Sequence, residues 1–302
     1  MASLKILYFT FMNLVSVIIL TYNRASLIQE SIASVLAQTY SELELLVVDD
    51  GSSDDTEDVV RGFNDHRVRY FRFDHTGHTG RLKNFAIQKA IGDYIAFNDS
   101  DDNWKEDKLS KQMKLFNDCP NIGFSITDVI TFSAERIMIE HSYHSNLASE
   151  CRNIFEWLCQ NRFLVYNNTL VIRKECFGRT GPFDESMVSG DYHFIMRLAY
   201  HYDAGILYEP LVWRRVHDSN MSEQFPFENY QEFIATFEHL YRNRWVEKRH
   251  LRAARSVAYF KMAILHEKKG ELPRARRSYL RSIRQRWFHV DSYIGLIKTF
   301  IA

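Results

Sequence analysis

The chain is 302 residues long, 46% hydrophobic and 14% aromatic, with a formal net charge of zero. That composition excludes a disordered segment and leaves room for one large domain, or for one domain with an appendage. The charge is uneven: residues 242–286 hold fifteen Lys/Arg against three Glu, leaving 23 basic and 35 acidic residues elsewhere, so an acidic body with a basic C-terminal surface is expected.

Residues 4–20 are mostly apolar, but Lys5 and Asn13 interrupt them and the stretch is short for a membrane span. A signal anchor is the rival to the preferred assignment, in which residues 14–20 form a fully buried parallel strand and residues 1–13 an N-terminal extension, with Met12 an alternative start. Strand patterns follow at 43–48, 68–73 and 93–98, separated by helical patterns at about 25–38, 54–62 and 80–91. In the first helix Leu27, Ile28, Ser31, Ile32, Val35 and Leu36 share a face, and Asp54 or Asp55 is placed to cap the second. Strands alternating with helices over short connections imply right-handed βαβ units and an α/β, doubly wound, mainly parallel sheet flanked by helices. Ligands of such sheets lie beyond the carboxyl ends of the strands.

At that edge the first strand ends in Thr21-Tyr22-Asn23-Arg24, the second in Asp49-Asp50-Gly51-Ser52-Ser53 and the fourth in Asp99-Ser100-Asp101-Asp102. Carboxylates gathered at the end of a buried strand repel one another and resist desolvation, and a hard cation shared with a diphosphate relieves both. Alone, the last tetrapeptide reads equally well as a solvated turn. Beside an aromatic ring and a second acidic loop it reads as a nucleotide site, with the ring against the base, a carboxylate on base or ribose protons, and a metal on the diphosphate.

Further on, a helix is expected at about 105–117, strands over 122–140, helices at 151–160 and 190–202, and a strand pair at 205–217 broken at Pro210. From 227 onward everything reads as helical, and Tyr259, Ala263, Gly270, Ala275, Tyr279 and Ile283 mark a hairpin like a single tetratricopeptide unit. Cys119, Cys151, Cys159 and Cys176 form no CxxC pair and read as buried thiols of a reducing compartment. Trp104 either stacks on a sugar or covers a helix start, and seven histidines (His66, His75, His78, His141, His144, His201 and His239) show no ligand spacing.

Val17-Ile-Ile-Leu-Thr-Tyr-Asn23, Ser34-Val-Leu-Ala-Gln-Thr-Tyr40, Glu44-Leu-Leu-Val-Val-Asp-Asp-Gly-Ser-Ser-Asp54 and Gly92-Asp-Tyr-Ile-Ala-Phe-Asn-Asp-Ser-Asp-Asp102, in that order, resemble the family 2 glycosyltransferases over roughly residues 14–222. The resemblance implies a GT-A catalytic domain at 14–222, followed by a basic helical region at 223–302. It implies metal-dependent, inverting transfer of a sugar from a nucleotide-diphosphate donor, a UDP-sugar foremost, to a hydroxyl of a glycan or lipid-linked glycan in cell-surface polysaccharide synthesis. It also implies Mn²⁺ or Mg²⁺ as cofactor.

Carried over residue by residue, the resemblance places Tyr22 against the base with Thr21 and Asn23 beside it, and Asp50 on the base with Asp49 shaping the pocket. Asp99 falls on ribose or donor sugar with Ser100 next to it, and Arg81 or Lys83 on the diphosphate or donor sugar. Asp101 becomes the metal ligand, replaced or assisted by Asp102, and His217 joins the metal. Asp191, in Ser189-Gly190-Asp191, becomes the base that accepts the proton of the attacking hydroxyl. Lys83 stands where the family commonly has Arg, and Gly190 where Glu is usual.

Two rivals remain. A nucleotidyltransferase would carry a Gly-rich basic loop after its first strand, where this chain has Thr21-Tyr22-Asn23-Arg24. A non-catalytic scaffold would not need the carboxylates. The basic C-terminal helices read as a solvated face or as a surface for anionic lipid headgroups or a lipid diphosphate; no nucleic-acid motif accompanies them. The expected location is the cytoplasm, with peripheral contact at the inner membrane face.

Overall fold

The computed structural model describes residues 13–133, 136–143, 147–217, 220 and 224–301. Of the expected N-terminal extension only Asn13 is described; of the apolar stretch 4–20, residues 13–20 are described, and 15–20 are strand, as expected for the preferred assignment. The chain runs β1 (Val15–Thr21), α1 (Ala25–Leu36), β2 (Leu43–Asp49), α2 (Thr56–Arg61), β3 (Val68–Arg72), α3 (Thr79–Lys89), β4 (Tyr94–Asp99), β5 (Asn103–Trp104), α4 (Lys108–Asp118) and β6 (Ile122–Phe132). It continues through β7 (Ile137–Ile139), β8 (Ser149–Arg152), α5 (Phe155–Cys159), β9 (Val171–Arg173), α6 (Phe177–Thr180), α7 (Asp191–His201) and β10 (Asp203–Arg215). Four helices close the chain: α8 (Pro226–Arg242), α9 (Lys248–Lys268), α10 (Leu272–Gln285) and α11 (Val290–Ile301).

One sheet holds the strands in the order β3-β2-β1-β4-β9-β6-β10-β5, with β7 on β6 and β8 on β10. β3, β2, β1 and β4 are mutually parallel, β9 runs against both of its neighbours, and β6 pairs with β10 in parallel. This is the expected mainly parallel α/β sheet with a helical C-terminal appendage. β1 and β2 are apolar on both sides because both faces of the sheet are covered. Successive side chains point to opposite faces: Val17, Ile19, Leu45 and Val47 pack toward α1 and α4, while Ile18, Leu46 and Val48 join Leu82, Phe97 and Phe194 on the other side.

Several expectations need correction. Residues 205–217 hold no strand pair: β10 is one strand whose register with β6 shifts around Pro210, which has no N–H to give the ladder. The helix expected at 151–160 is shorter, because Ser149–Arg152 is drawn onto the edge of β10 as β8. β5 and β9 are too short to show a period. Cys119 and Cys151 are not free thiols; the fold brings the end of α4 beside β8 and joins them in a disulfide. Cys159 and Cys176 remain buried thiols, pushed up to about 12 and about 11 by desolvation. With one pair oxidised, the cysteines no longer argue for a reducing compartment.

Candidate active site

Every strand-end motif lands at one sheet edge, because parallel strands put their carboxyl ends on the same side. β1 and β2 finish in register at Thr21 and Asp49, and β4 finishes one residue from them at Asp99. The turn after β2 is locked from within: Asp49 Oδ1 accepts from Ser52 N at 2.8 Å and Ser52 Oγ at 2.7 Å, and Asp49 Oδ2 accepts from the Tyr70 hydroxyl at 2.6 Å. Gly51 has φ +82°, and a Cβ there would lie 2.7 Å from the backbone N of His75. Only glycine fits so close to the next loop.

Asp50 reaches across to that loop. Its carboxylate accepts from Thr76 N and Thr76 Oγ1, both at 2.9 Å, and from Gly77 N at 2.8 Å, with His75 Nδ1 at 2.9 Å. The loop in turn lays the His75 ring on Tyr22, with centroids 4.0 Å apart and planes 18° from parallel. Tyr22 stays 42% exposed, so part of the ring remains open to a ligand. Asn23, at φ +51°, accepts from Ser53 N at 2.8 Å and gives its own N–H to Ser52 Oγ at 2.8 Å, tying β1 to β2 at their tips. Thr21 is buried, and its hydroxyl has no hydrogen-bond partner among the described residues. Sequence reasoning missed His75: a lone histidine in a polar loop carries no pattern, although its place four residues ahead of α3 was visible.

The acidic cluster divides three ways. Asp99 opens to solvent at the tip of β4, while protein surrounds it below. Desolvation pushes its carboxyl up to about 7; the Asp101 and Asp191 charges add to this, and Lys83 and Arg214 oppose it. Asp101 Oδ2 meets His217 Nε2 at 2.9 Å and Asn220 Nδ2 at 3.3 Å. Asp102 is buried, its oxygens taken by Arg215 N at 2.7 Å and by the Asn168 side-chain amide, and burial holds its carboxyl well above the usual range. It fastens the cluster to β10, whereas Asp99 faces outward and Asp101 is held against His217 and Asn220. Ser100 is buried in the turn between them. Trp104 lies behind the cluster, donating from Nε1 to Asn168 O at 3.1 Å, with the buried Lys108 amine 3.7 Å above its ring.

Among the described residues no three His, Cys, Asp or Glu converge as a ready metal cage. Asp101 with His217, beside an Asp99 whose charge is poorly compensated, does fit a hard cation that takes its remaining ligands from phosphate oxygens and water.

α3 carries the link to the far side. Lys83, 5% exposed, pairs with Asp191 Oδ1. Asn84, next to it, clasps Phe183 through both backbone groups, at 3.0 and 2.9 Å. Arg81 is exposed on the same helix. Asp191 is the first residue of α7, its Oδ2 accepts from Ser189 Oγ at 2.8 Å, and its side chain keeps 28% exposure. The turn before it, with Gly190 at φ +69°, is held from the C-terminal region: Glu232 of α8 accepts from the N–H groups of Val188, Ser189 (3.4 Å) and Gly190 (3.3 Å). Nothing in the sequence around Glu232 signals that contact. A hollow of about 520 Å³ at the α8–α9 turn, lined by Trp245, Arg242 and His250 among others, lies apart from all of these groups.

A family model described as Glycosyl transferase family 2 matches residues 16–179, just over half of the chain. The chain belongs to glycosyl transferase family 2. An uncharacterized glycosyltransferase of Rickettsia typhi is 31% identical over 217 residues, covering 70% of this chain and 66% of that one. The Escherichia coli UDP-Glc:alpha-D-GlcNAc-diphosphoundecaprenol beta-1,3-glucosyltransferase WfaP is 36% identical over 132 residues, 44% of this chain and 49% of that one. The chain therefore spans less than two thirds of these relatives. Staphylococcus aureus TarS 1-349, solved with UDP-GlcNAc, matches 95% of this chain and 90% of its own with a TM-score of 0.68 at 17% identity, which shows that this family 2 chain shares its fold.

Proposed function

We propose that this protein is a metal-dependent, inverting glycosyltransferase that moves a sugar from a UDP-sugar to a hydroxyl of a glycan or lipid-linked glycan in cell-surface polysaccharide synthesis. Support comes above all from one observation: Asp99, Lys83 and Asp191, from β4, α3 and α7, meet beside the Asp101–His217 pair at the sheet edge where the family motifs end. A relative that transfers glucose from UDP-Glc to a diphosphoundecaprenol-linked sugar favours a lipid-linked acceptor and a membrane-proximal enzyme.

In this mechanism the base of the nucleotide lies on the open part of Tyr22, with the Thr21 hydroxyl and Asn23 at its rim. Asp50 acts by holding residues 75–77 behind that ring. Asp101 and His217, with Asp99 next to them, would hold Mn²⁺ or Mg²⁺, which would supply charge stabilisation to the departing diphosphate. Asp102 fixes the cluster to β10. Asp191 takes the proton of the acceptor hydroxyl as its oxygen forms a bond to the anomeric carbon. The bond from that carbon to the diphosphate breaks, and its electron pair leaves with the nucleoside diphosphate. Lys83 occupies Asp191 Oδ1 in the free protein. A donor diphosphate offers Lys83 a stronger partner, so donor binding frees the base at the moment it is needed. Arg81 lies on the same helix as a second cation for the donor.

The test is a thermal-shift series with UDP and UDP-sugars, with and without Mn²⁺, alongside nucleotide release from each donor. Ligand at 100 times its dissociation constant stabilises by about 2.7 kcal/mol. Metal-dependent stabilisation with slow UDP release is expected. Metal-independent stabilisation contradicts the role given to Asp101, and the absence of both binding and release favours a scaffold.

A further inference from the structure

The last helix sorts its side chains in reverse. α11 turns Ser292 and Thr299 inward, at 0% and 1% exposure, and leaves Val290, Tyr293, Ile294, Ile297 and Phe300 between 41% and 67% exposed. Its contact with α10 uses small and polar groups. Gly295 lies so close to the Tyr279 ring that a Cβ would fall 2.3 Å from it, and Ser292 Oγ meets Ser282 Oγ at 2.8 Å. A helix that merely covers a core does the opposite, burying its apolar stripe. The turn before α11 continues the exposed apolar surface with Trp287 at 76% and Phe288 at 55%.

Cations surround this surface. Residues 272–301 contain seven Arg/Lys and a single acid, Asp291. Arg286 lies 4.6 Å over the Phe288 ring and Arg276 4.1 Å over Phe300, while Arg277, Arg281 and Arg284 are exposed along α10.

We infer that the α10–α11 corner is a docking surface for an anionic lipid bilayer. Trp287, Phe288 and the outer stripe of α11 enter the headgroup boundary, and the α10 arginines contact lipid phosphates. Charge decides between the possible occupants. A second copy seated here would bring one arginine row against another, which like-charge repulsion opposes, whereas anionic headgroups complement it. Trp and Tyr also favour the membrane–water interface. Among the described residues no helix is long and apolar enough to cross a membrane, and exposed aromatics flanked by cations suit a helix lying in the headgroup layer. The proposal rests on the lipid-linked acceptor for its biological sense, but it is read without any sugar transfer.

The test is co-sedimentation of the full chain with vesicles of phosphatidylcholine alone, or of equal parts phosphatidylcholine and phosphatidylglycerol. Binding is expected only to the second, and it weakens with salt. Trp287→Ser with Phe288→Ser lowers the affinity at least about tenfold, and Arg281→Glu with Arg284→Glu does so to a similar degree. Melting temperature and nucleotide release stay unchanged, because these side chains are exposed and remote from the sheet edge. Equal binding to both vesicles, no binding to either, or variants that bind as the parent does would overturn the proposal. So would a dimer in light scattering that Trp287→Ser dissociates, which would assign the face to a second copy. Vesicle binding without sugar transfer leaves this proposal standing and removes the enzymatic one.

Discussion

Asp101 and Asp102 show how adjacent carboxylates acquire different work. One meets a histidine and an amide through a single oxygen; the other has both oxygens filled by Arg215 and Asn168. Asp101→Asn should therefore abolish Mn²⁺-dependent stabilisation by UDP while leaving the melting temperature of the free protein within about 1–2 °C. Asp102→Asn should lower that melting temperature, because it replaces a buried acceptor that holds β10. His193 gives the pH prediction. It is buried on α7, neither ring nitrogen has a hydrogen-bond partner among the described residues, and desolvation, with Arg197 and His239 adding and Asp184 opposing, pulls it down to about 4. The unfolded chain takes up this proton more readily than the folded one, so stability falls as pH drops below the unfolded value of about 6.5 and levels off below the folded one. The loss reaches roughly 3 kcal/mol at most. In His193→Leu the melting temperature should fall less steeply between these values, and an unchanged slope would assign the acid sensitivity to other groups.

At the scale of elements, α3 and α8 do what the motifs do not announce. Strand-end motifs were legible because fully buried apolar runs alternating with helices imply a parallel sheet, which forces their tips together, and four ordered stretches named the family. Glu232, His75, Asn168 and Asn220 were not legible. Each acts across the fold on a partner far away in sequence, and a single polar residue leaves no local period. The disulfide was hidden for the same reason, since only the approach of β8 to the end of α4 pairs Cys119 with Cys151. Glu232 has a measurable consequence. Its carboxylate gathers N–H groups at the start of α7, where the helix dipole also favours a negative charge, and so fixes the turn that aims Asp191. If Asp191 is the proposed base, Glu232→Ala should lower kcat about 10–100-fold with little change in donor KM, since a small misplacement of a reacting group costs that much. Glu232→Gln, which retains one acceptor oxygen, should recover part of the loss. A donor KM that rises while kcat holds would place the effect of Glu232 in donor binding instead.

Over the whole molecule, the boundary expected near residue 222 does not divide the core. Phe237, Leu240, Val246, Leu251 and Ala254, from α8, the following turn and α9, belong to the same buried cluster as Ile18, Phe97 and Phe194 of the sheet and α7. Beyond them, Ala263, Ala275 and Tyr279 form a small separate cluster between α9 and α10. We propose that the physical boundary falls within the helical region, between the helices that share the core and the hairpin end that carries the exposed apolar corner. Burying the four larger side chains of α8–α9 is worth about 2 kcal/mol each, roughly 8 kcal/mol together, against a total stability for a domain of about 5–15 kcal/mol. A chain ended at residue 222 should thus lose its cooperative thermal transition, and with it the contact from Glu232 that holds the Asp191 turn. A chain ended after Glu271 keeps both. It should unfold cooperatively within a few degrees of the parent, release nucleotide at a comparable rate, and fail to sediment with phosphatidylglycerol vesicles. Scanning calorimetry of the two shortened chains decides the matter: a cooperative transition in the chain ended at 222 would make residues 223–302 a separate appendage after all.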